Sequence, residues 1–220
     1  MNKEHHLKEI ARQLGHPEGE NGLLMADMMH ETNIGMTRHA IQQLQLQQSD
    51  IILELGHGNG KHVPEILAQH SSIKYYGLEV SQLMYEKAVS TNSHLYPTRA
   101  FFDLYDGQHI PYKDSFFTKI FTVNTLYFWQ SPISMLKEIY RVLKPRGTFS
   151  LTFTHKSFME SLPFTKWNFK LYDLAELKEL VEGSPFAYTS EETMVEQIKN
   201  KNGDMVNRTF TTINLSKITL

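Results

Sequence analysis

The stretch Ile51-Ile52-Leu53-Glu54-Leu55-Gly56-His57-Gly58-Asn59-Gly60 decides the fold. Its first half is a short apolar β run, and its second half is a cluster of glycines that ends the strand. Pro64 follows in the first turn of the next element, where a missing N–H costs little. Val63, Ile66 and Leu67 give that element the inward face of a helix. A strand, a glycine turn and a helix in that order is the opening of a parallel β-α-β unit. In an open sheet of this kind ligands sit outside the carboxyl ends of the strands, where these glycines lie.

The rest of the chain extends the alternation. Lys74 to Val80 reads as a second strand, and Ser81 caps a helix carrying Leu83, Met84 and Ala88. Thr98 to Phe102 and Lys119 to Asn124 are the third and fourth strands. Ser131-Pro132 starts a helix with Ile133, Leu136, Ile139, Tyr140 and Leu143 inward. Lys144-Pro145-Arg146-Gly147 stops it, before a fifth strand from Thr148 to Thr154. Asp173 and Glu176 form a capping box for one more helix. Glu192 to Lys199 and Met205 to Leu215 are β runs joined through the hairpin signal Asn202-Gly203. Alternating strands and helices require right-handed parallel crossovers, whereas the closing hairpin cannot be parallel to itself. The expected fold is therefore α/β: a doubly wound, mostly parallel sheet with one antiparallel strand near its edge.

Residues 1–48 precede this core. Leu7, Ile10, Ala11 and Leu14 predict a short helix, broken by Gly15, Pro17, Gly19 and Gly22. A second helical stretch carries Leu23, Leu24, Met28 and Met29, and a third runs from about Gly35 to Leu46. The expected organisation is one domain: a helical segment over 1–48, a core over 49–155, and a helix with a β-hairpin over 156–220.

Composition narrows the chemistry. The chain has 220 residues, 40% of them hydrophobic, which is enough for a core of its own. It has no cysteine, so disulfides, thiolate metal sites and a cysteine nucleophile are excluded. The net charge of -2 argues against a nucleic-acid partner. No apolar run is long enough to span a bilayer, and the first residues lack the apolar core of a signal peptide. A cytoplasmic protein without a membrane partner is the expectation. His30-Glu31 begins a zinc-type H-E-x-x-H pattern, but Asn33 and Ile34 follow, so no metal site is expected.

The glycine loop fails two phosphate motifs. A P-loop needs Gly and Ser or Thr where Leu55 and His62 stand, and a dinucleotide fingerprint needs glycine at Lys61. The order acidic-x-Gly-x-Gly-x-Gly, from Glu54 to Gly60, instead resembles the first motif of class I S-adenosylmethionine (SAM) dependent methyltransferases, of the domain-11 type. The resemblance continues over residues 50 to 155. Glu79 ends the second strand, Asp106-Gly107 opens a segment like the family's adenine loop, and Lys144-Pro145-Arg146-Gly147 is similar to its Leu-Lys-Pro-Gly-Gly turn. Thr118 and Arg146 depart from the family's usual Asp and Gly.

That resemblance implies a seven-stranded, Rossmann-like sheet and SAM as cofactor, with S-adenosylhomocysteine as product. It assigns Gly56, Gly58 and Gly60 to a loop under the methionine and ribose moieties, and His57 to the methionine end. Glu54 would orient the loop or reach the ammonium through water. Glu79 would hold the ribose hydroxyls, Val80 and Met84 would pack on adenine, and Asp106 with the Gly107 N–H would read it. Asn124 would lie near the methionine end, and Met29, His30 and Asn33 would belong to a lid near the methionine carboxylate.

Methyl transfer from a sulfonium needs positioning in a dry pocket more than acid–base groups. No catalytic residue is therefore assigned; Tyr127 and His155 are candidates. Tyr127-Phe128-Trp129, with Phe158 to Phe169, would wall a small-molecule acceptor pocket. Two other readings stay open: a non-catalytic SAM-binding regulatory protein, and a nicotinamide-dependent oxidoreductase. The acceptor atom and the oligomeric state are not readable from the sequence.

Overall fold

The computed structural model describes residues 3–199 and 203–218. Helices α1 (Lys3–Gly15) and α2 (Gly19–Gln43) come first. A run of alternating elements follows: β1 (Ile51–Leu55), α3 (Val63–Gln69), β2 (Lys74–Glu79), α4 (Gln82–Thr91), β3 (Ala100–Leu104), β4 (Phe117–Val123), α5 (Pro132–Val142) and β5 (Leu143–Thr154). The chain closes with α6 (Lys156–Met159), α7 (Leu174–Glu182), β6 (Ala187–Lys199) and β7 (Met205–Ser216).

The strands form one seven-stranded sheet in the order β3-β2-β1-β4-β5-β7-β6. β1 pairs in parallel with β2 on one side and β4 on the other, and β7 runs antiparallel to both β5 and β6. β7 is thus the one reversed strand, one place in from the edge. Strand order reverses between β1 and β4, and their loops diverge there to leave a crevice at the carboxyl ends.

Side chains alternate across the sheet and fill two cores. Ile52, Tyr75, Phe102 and Phe121 face α3, α4 and the end of α2, through Val63, Ile66, Ala88 and Ile41. Leu53, Leu55, Phe149 and Ile213 face α5 and α7, through Leu136, Ile139, Leu177 and Val181. Among the described residues no helix is long and apolar enough to cross a membrane.

Several boundaries differ from the sequence reading. The second and third helical stretches are a single helix of 25 residues, α2, which contains Gly22 and Gly35. A glycine inside a helix costs about 1 kcal/mol, and packing outweighs it here. At Gly35 the missing Cβ admits the Glu196 carboxylate, whose Oε2 lies 2.4 Å from where that atom would be. β5 starts at Leu143 rather than Thr148, and Lys144–Gly147 is an irregularity within it. Arg146 there adopts φ 64°, a left-handed conformation that glycine tolerates better. Ser131 precedes α5 without bonding a helix N–H, its hydroxyl donating to Ser134 instead. β6 begins at Ala187, before the expected Glu192. The Asp173–Glu176 capping box is formed as read. Asn202 of the hairpin turn lies outside the described residues.

Candidate functional site

A cleft of about 380 Å³ opens at the crevice between β1 and β4. The β1–α3 loop forms its floor. The ends of β2, β3 and β4 form its sides, and the α1–α2 corner with the N-terminal half of α2 forms its roof.

The floor is built on a buried acid. Glu54 points to the α3 face of the sheet, where its Oε2 accepts from the Tyr75 hydroxyl and from His62 Nε2 at 2.7 Å. Burial alone would push the His62 imidazole down, but the Glu54 charge and hydrogen bond outweigh it, and the net direction is up. Burial raises the Tyr75 hydroxyl well above its usual range, so it stays a donor. Glu54 therefore acts on the loop through the first residue before α3, not through loop N–H groups.

The loop turns at Gly56 and Gly58, both at positive φ (77° and 56°). At Gly56 a Cβ would stand 2.4 Å from Thr125 Cγ2, so only glycine lets β1 and β4 end side by side. His57 turns under the sheet, its edge on Phe102 and its Nδ1 2.9 Å from the Gly58 carbonyl. Burial depresses its pKa, so the ring is neutral and Nδ1–H is the donor. Gly60 does not line the cleft. It abuts α4, where Asn92 Nδ2 donates to its carbonyl at 3.0 Å, because the chain has already turned toward α3.

Glu79 ends β2 and clamps the loop. Its Oε1 accepts from the N–H groups of Val80 (2.8 Å) and Ser81 (3.3 Å), and its Oε2 from Gly58 (3.1 Å). A carboxylate has about four acceptor sites, so one remains for a ligand. Val80 and Met84 line the wall beyond it. Asp106, after β3, uses Oδ1 to accept from the N–H groups of His109 (2.7 Å) and Gln108 (2.8 Å). Those bonds lower its pKa and keep the carboxylate ionised, and among the described residues no other residue donates to Oδ2. Gly107 follows at φ 76° and also lines the cleft.

At the end of β4, Asn124 takes a left-handed turn (φ 57°). Its Oδ1 accepts from the Tyr127 hydroxyl (3.0 Å) and from Thr154 N–H (3.1 Å), and its Nδ2 reaches Asn33. The Tyr127 oxygen also accepts from Thr154 N–H at 2.7 Å. Tyr127 is thus a buried tie between β4 and β5, and burial raises its pKa. His155 stacks on Phe153 and pairs with Thr211 at 2.7 Å on β7. Neither Tyr127 nor His155 lines the cleft.

Met29, His30 and Asn33 of α2 line the roof, as do Phe128 and Trp129 a side wall; Trp167 and Phe158–Phe169 do not line it. Phe169 instead supports Phe128 from behind, with ring centres 4.7 Å apart. The sequence reading missed His16, Pro17, Thr37, Asn59, His62, Tyr105 and Gln130, which also line the cleft. Asn59 and Lys61 bond Asp27 of α2 at 3.1 and 2.8 Å, latching roof to floor. No periodic signal marks such residues, because each works through a partner distant in sequence. Among the described residues no cluster of three His, Asp or Glu is gathered to hold a metal.

The sheet order, the reversed seventh strand and a glycine-loop cleft at the switch point define the class I methyltransferase fold. Residues 53–151 match the family described as a methyltransferase domain. An uncharacterized methyltransferase of Bacillus subtilis, YdaC, is 28% identical over 57% of this chain and 67% of its own length. Four further curated methyltransferases are matched over only 39 to 45% of theirs. Among solved structures, one of a Haloferax volcanii methyltransferase complex with the activator Trm112 aligns with TM-score 0.75 at 15% identity, over 88% of this chain and 94% of that one. A Haemonchus contortus phosphoethanolamine N-methyltransferase, solved with S-adenosylhomocysteine, aligns with TM-score 0.71 at 13% identity, over 97% of this chain and 61% of that one.

Proposed function

We propose that this chain is a SAM-dependent methyltransferase acting on a small-molecule acceptor, with SAM held in the cleft between β1 and β4. The observation that carries this reading is the convergence of Glu79, Asp106 and the left-handed Gly56–Gly58 turn, from three separate strand ends, on one cleft. The residues suit the group. Glu79 has one free acceptor site for a ribose hydroxyl, and contact with both hydroxyls would take over one of its backbone bonds. Asp106 offers Oδ2 to the adenine amino group, and Val80 and Met84 offer an apolar surface to the ring.

When bound, SAM supplies an activated methyl that moves by in-line displacement at carbon. This chain's residues have the other tasks. The loop orients the sulfonium end, and Glu79 holds the ribose. The segment over residues 1–48 acts as a lid that excludes water, held at Asp27 to Asn59 and Lys61. Phe128 and Trp129 give the acceptor an apolar, aromatic wall. Glu54, Glu79 and Asp106 line the cleft, and none of its lining residues is Lys or Arg, which suits a cationic cofactor. No proton acceptor is assigned.

Thermal melting with SAM, S-adenosylhomocysteine, NAD and NADP in parallel tests the reading. A ligand at 100 times its Kd adds about 2.7 kcal/mol. For a chain of this size that raises Tm by roughly 5–10 °C. A rise with the two adenosyl ligands alone is expected. A rise with NAD or NADP alone would favour the oxidoreductase reading. Binding without turnover in an acceptor screen would favour a regulatory protein.

A further inference from the structure

The polar chain that ends at Asn33 starts well outside the cleft. Arg208 of β7 is 5% exposed, and its guanidinium is held by Glu196 of β6, with Nε at 3.0 Å and Nη2 at 2.6 Å from Oε1. From that anchor it reaches α2. Nη2 donates to the Thr32 carbonyl, and Nη1 donates to Asn33 Oδ1 at 2.9 Å. Asn124 Nδ2 donates to the same Asn33 oxygen at 3.3 Å.

These contacts settle which way the Asn33 amide points. An arginine has no acceptor, so the atom facing Arg208 must be the oxygen. The Asn124 side independently requires the same. Asn124 faces the backbone N–H of Thr154 with its oxygen, so it must turn its own amide hydrogens toward Asn33. Both neighbours are donors, and the Asn33 NH2 group is forced to the other side. It has no partner among the described residues, and Asn33 lines the cleft.

We propose that Arg208 is a positioning residue for ligand binding: it fixes the Asn33 amide so that Nδ2 donates into the cleft, to a carboxylate oxygen of the ligand. The inference rests on the reading of the cleft as a SAM site. The carboxylate of the methionine moiety is the one anionic group of that cofactor. The lining contains no Lys or Arg to meet it, and the buried cation of Arg208 lies one side chain behind the donor. Gly35 belongs to the device, because a Cβ there would meet the Glu196 carboxylate that anchors Arg208.

Calorimetry with two ligands tests this. S-adenosylhomocysteine carries the carboxylate, whereas 5′-methylthioadenosine has the same nucleoside without it. Asn33→Asp keeps an oxygen for Arg208 and Asn124 to donate to, but replaces the cleft-facing NH2 with a second oxygen. Arg208→Met removes the donor that orients the amide. Both substitutions should weaken S-adenosylhomocysteine by roughly 10- to 100-fold, as for loss of a hydrogen bond to a charged group. Methylthioadenosine should stay within about twofold, and Arg208→Lys should recover part of the loss. The Arg208→Met, Asn33→Asp double variant should be little worse than Asn33→Asp alone. An equal loss for both ligands would make Arg208 a prop of the lid and overturn the proposal, as would unchanged affinity for both. Should Arg208→Met fail to fold, Asn33→Asp and Arg208→Lys decide the matter. Wild-type protein that binds neither ligand would overturn the SAM reading itself, an outcome distinct from unchanged variants.

Discussion

Glu79→Gln is the most informative single substitution, because Glu79 ties the loop to β2 and is also the residue placed against the ribose. The carboxylate accepts three backbone N–H bonds, from Gly58, Val80 and Ser81. Glutamine has the same size and one acceptor oxygen. Turned toward Val80 and Ser81, that oxygen leaves the amide NH2 facing the Gly58 N–H, donor against donor. Turned toward Gly58, it abandons the other two. At least one hydrogen bond to a charged group is lost either way, about 1.5–3 kcal/mol. For a chain of this size that lowers Tm by roughly 3–12 °C. Calorimetric melting reads this without any ligand. Titration with S-adenosylhomocysteine should show affinity about tenfold weaker or worse, since the remaining acceptor site also disappears. A Tm within a degree of wild type would refute the clamp, and an unchanged Kd would remove Glu79 from the ribose role.

The other predictions concern the adenine loop, the buried histidine and a strained turn. Asp106→Ala should weaken SAM, S-adenosylhomocysteine and methylthioadenosine by similar factors of about 10 or more, because all three share the adenine; a loss confined to one of them in calorimetry would contradict the assignment. His62 has its folded pKa raised by Glu54, so its stabilisation is complete below about pH 6.5 and is lost as pH rises through the folded value. The Tm gap between wild type and His62→Asn should therefore be widest near pH 6 and narrow toward pH 9; a gap that widens with pH would sink the Glu54–His62 ion pair. Arg146→Gly relieves a left-handed residue worth about 1–2 kcal/mol of strain and adds about 0.5–1 kcal/mol of chain entropy cost. Urea unfolding should show the variant equal to wild type or up to about 1.5 kcal/mol more stable, and a clear loss would mean the arginine side chain holds the turn.

The elements that sequence made plain are those whose signal is local. Glycines after a β run mark the loop at Gly56 and Gly58, Ser81 caps α4 by accepting from Met84 N–H, and the Asp173–Glu176 box starts α7. Glu79, Asp106 and Gly107 were legible through the resemblance to the methyltransferase family, and all three line the cleft. Errors arose where tertiary contacts override propensity. The sequence reading starts a separate helix at about Gly35, yet α2 runs through it, and Glu196 occupies the space of the missing side chain. Gly60 reads as part of the ligand loop, yet Asn92 holds it against α4. Tyr127 and His155 are chemically able side chains near the right strand ends, but the Tyr127 hydroxyl is spent on Asn124 and Thr154, His155 Nε2 pairs with Thr211, and neither residue lines the cleft.

The resemblance to the methyltransferase family singled out the acidic and glycine residues that line the cleft, whereas pattern and spacing along the chain were sufficient for the α/β class, the parallel core and the antiparallel close. Those features follow from periodicity, capping and turn chemistry, which act between residues close in sequence. The pairing of Glu54 with His62 and Tyr75, the latch from Asp27 to Lys61 and the chain from Glu196 through Arg208 and Asn33 to Asn124 follow from no such rule. Each joins elements that meet only once the sheet has closed, and a buried polar atom takes whatever partner the packing brings to it.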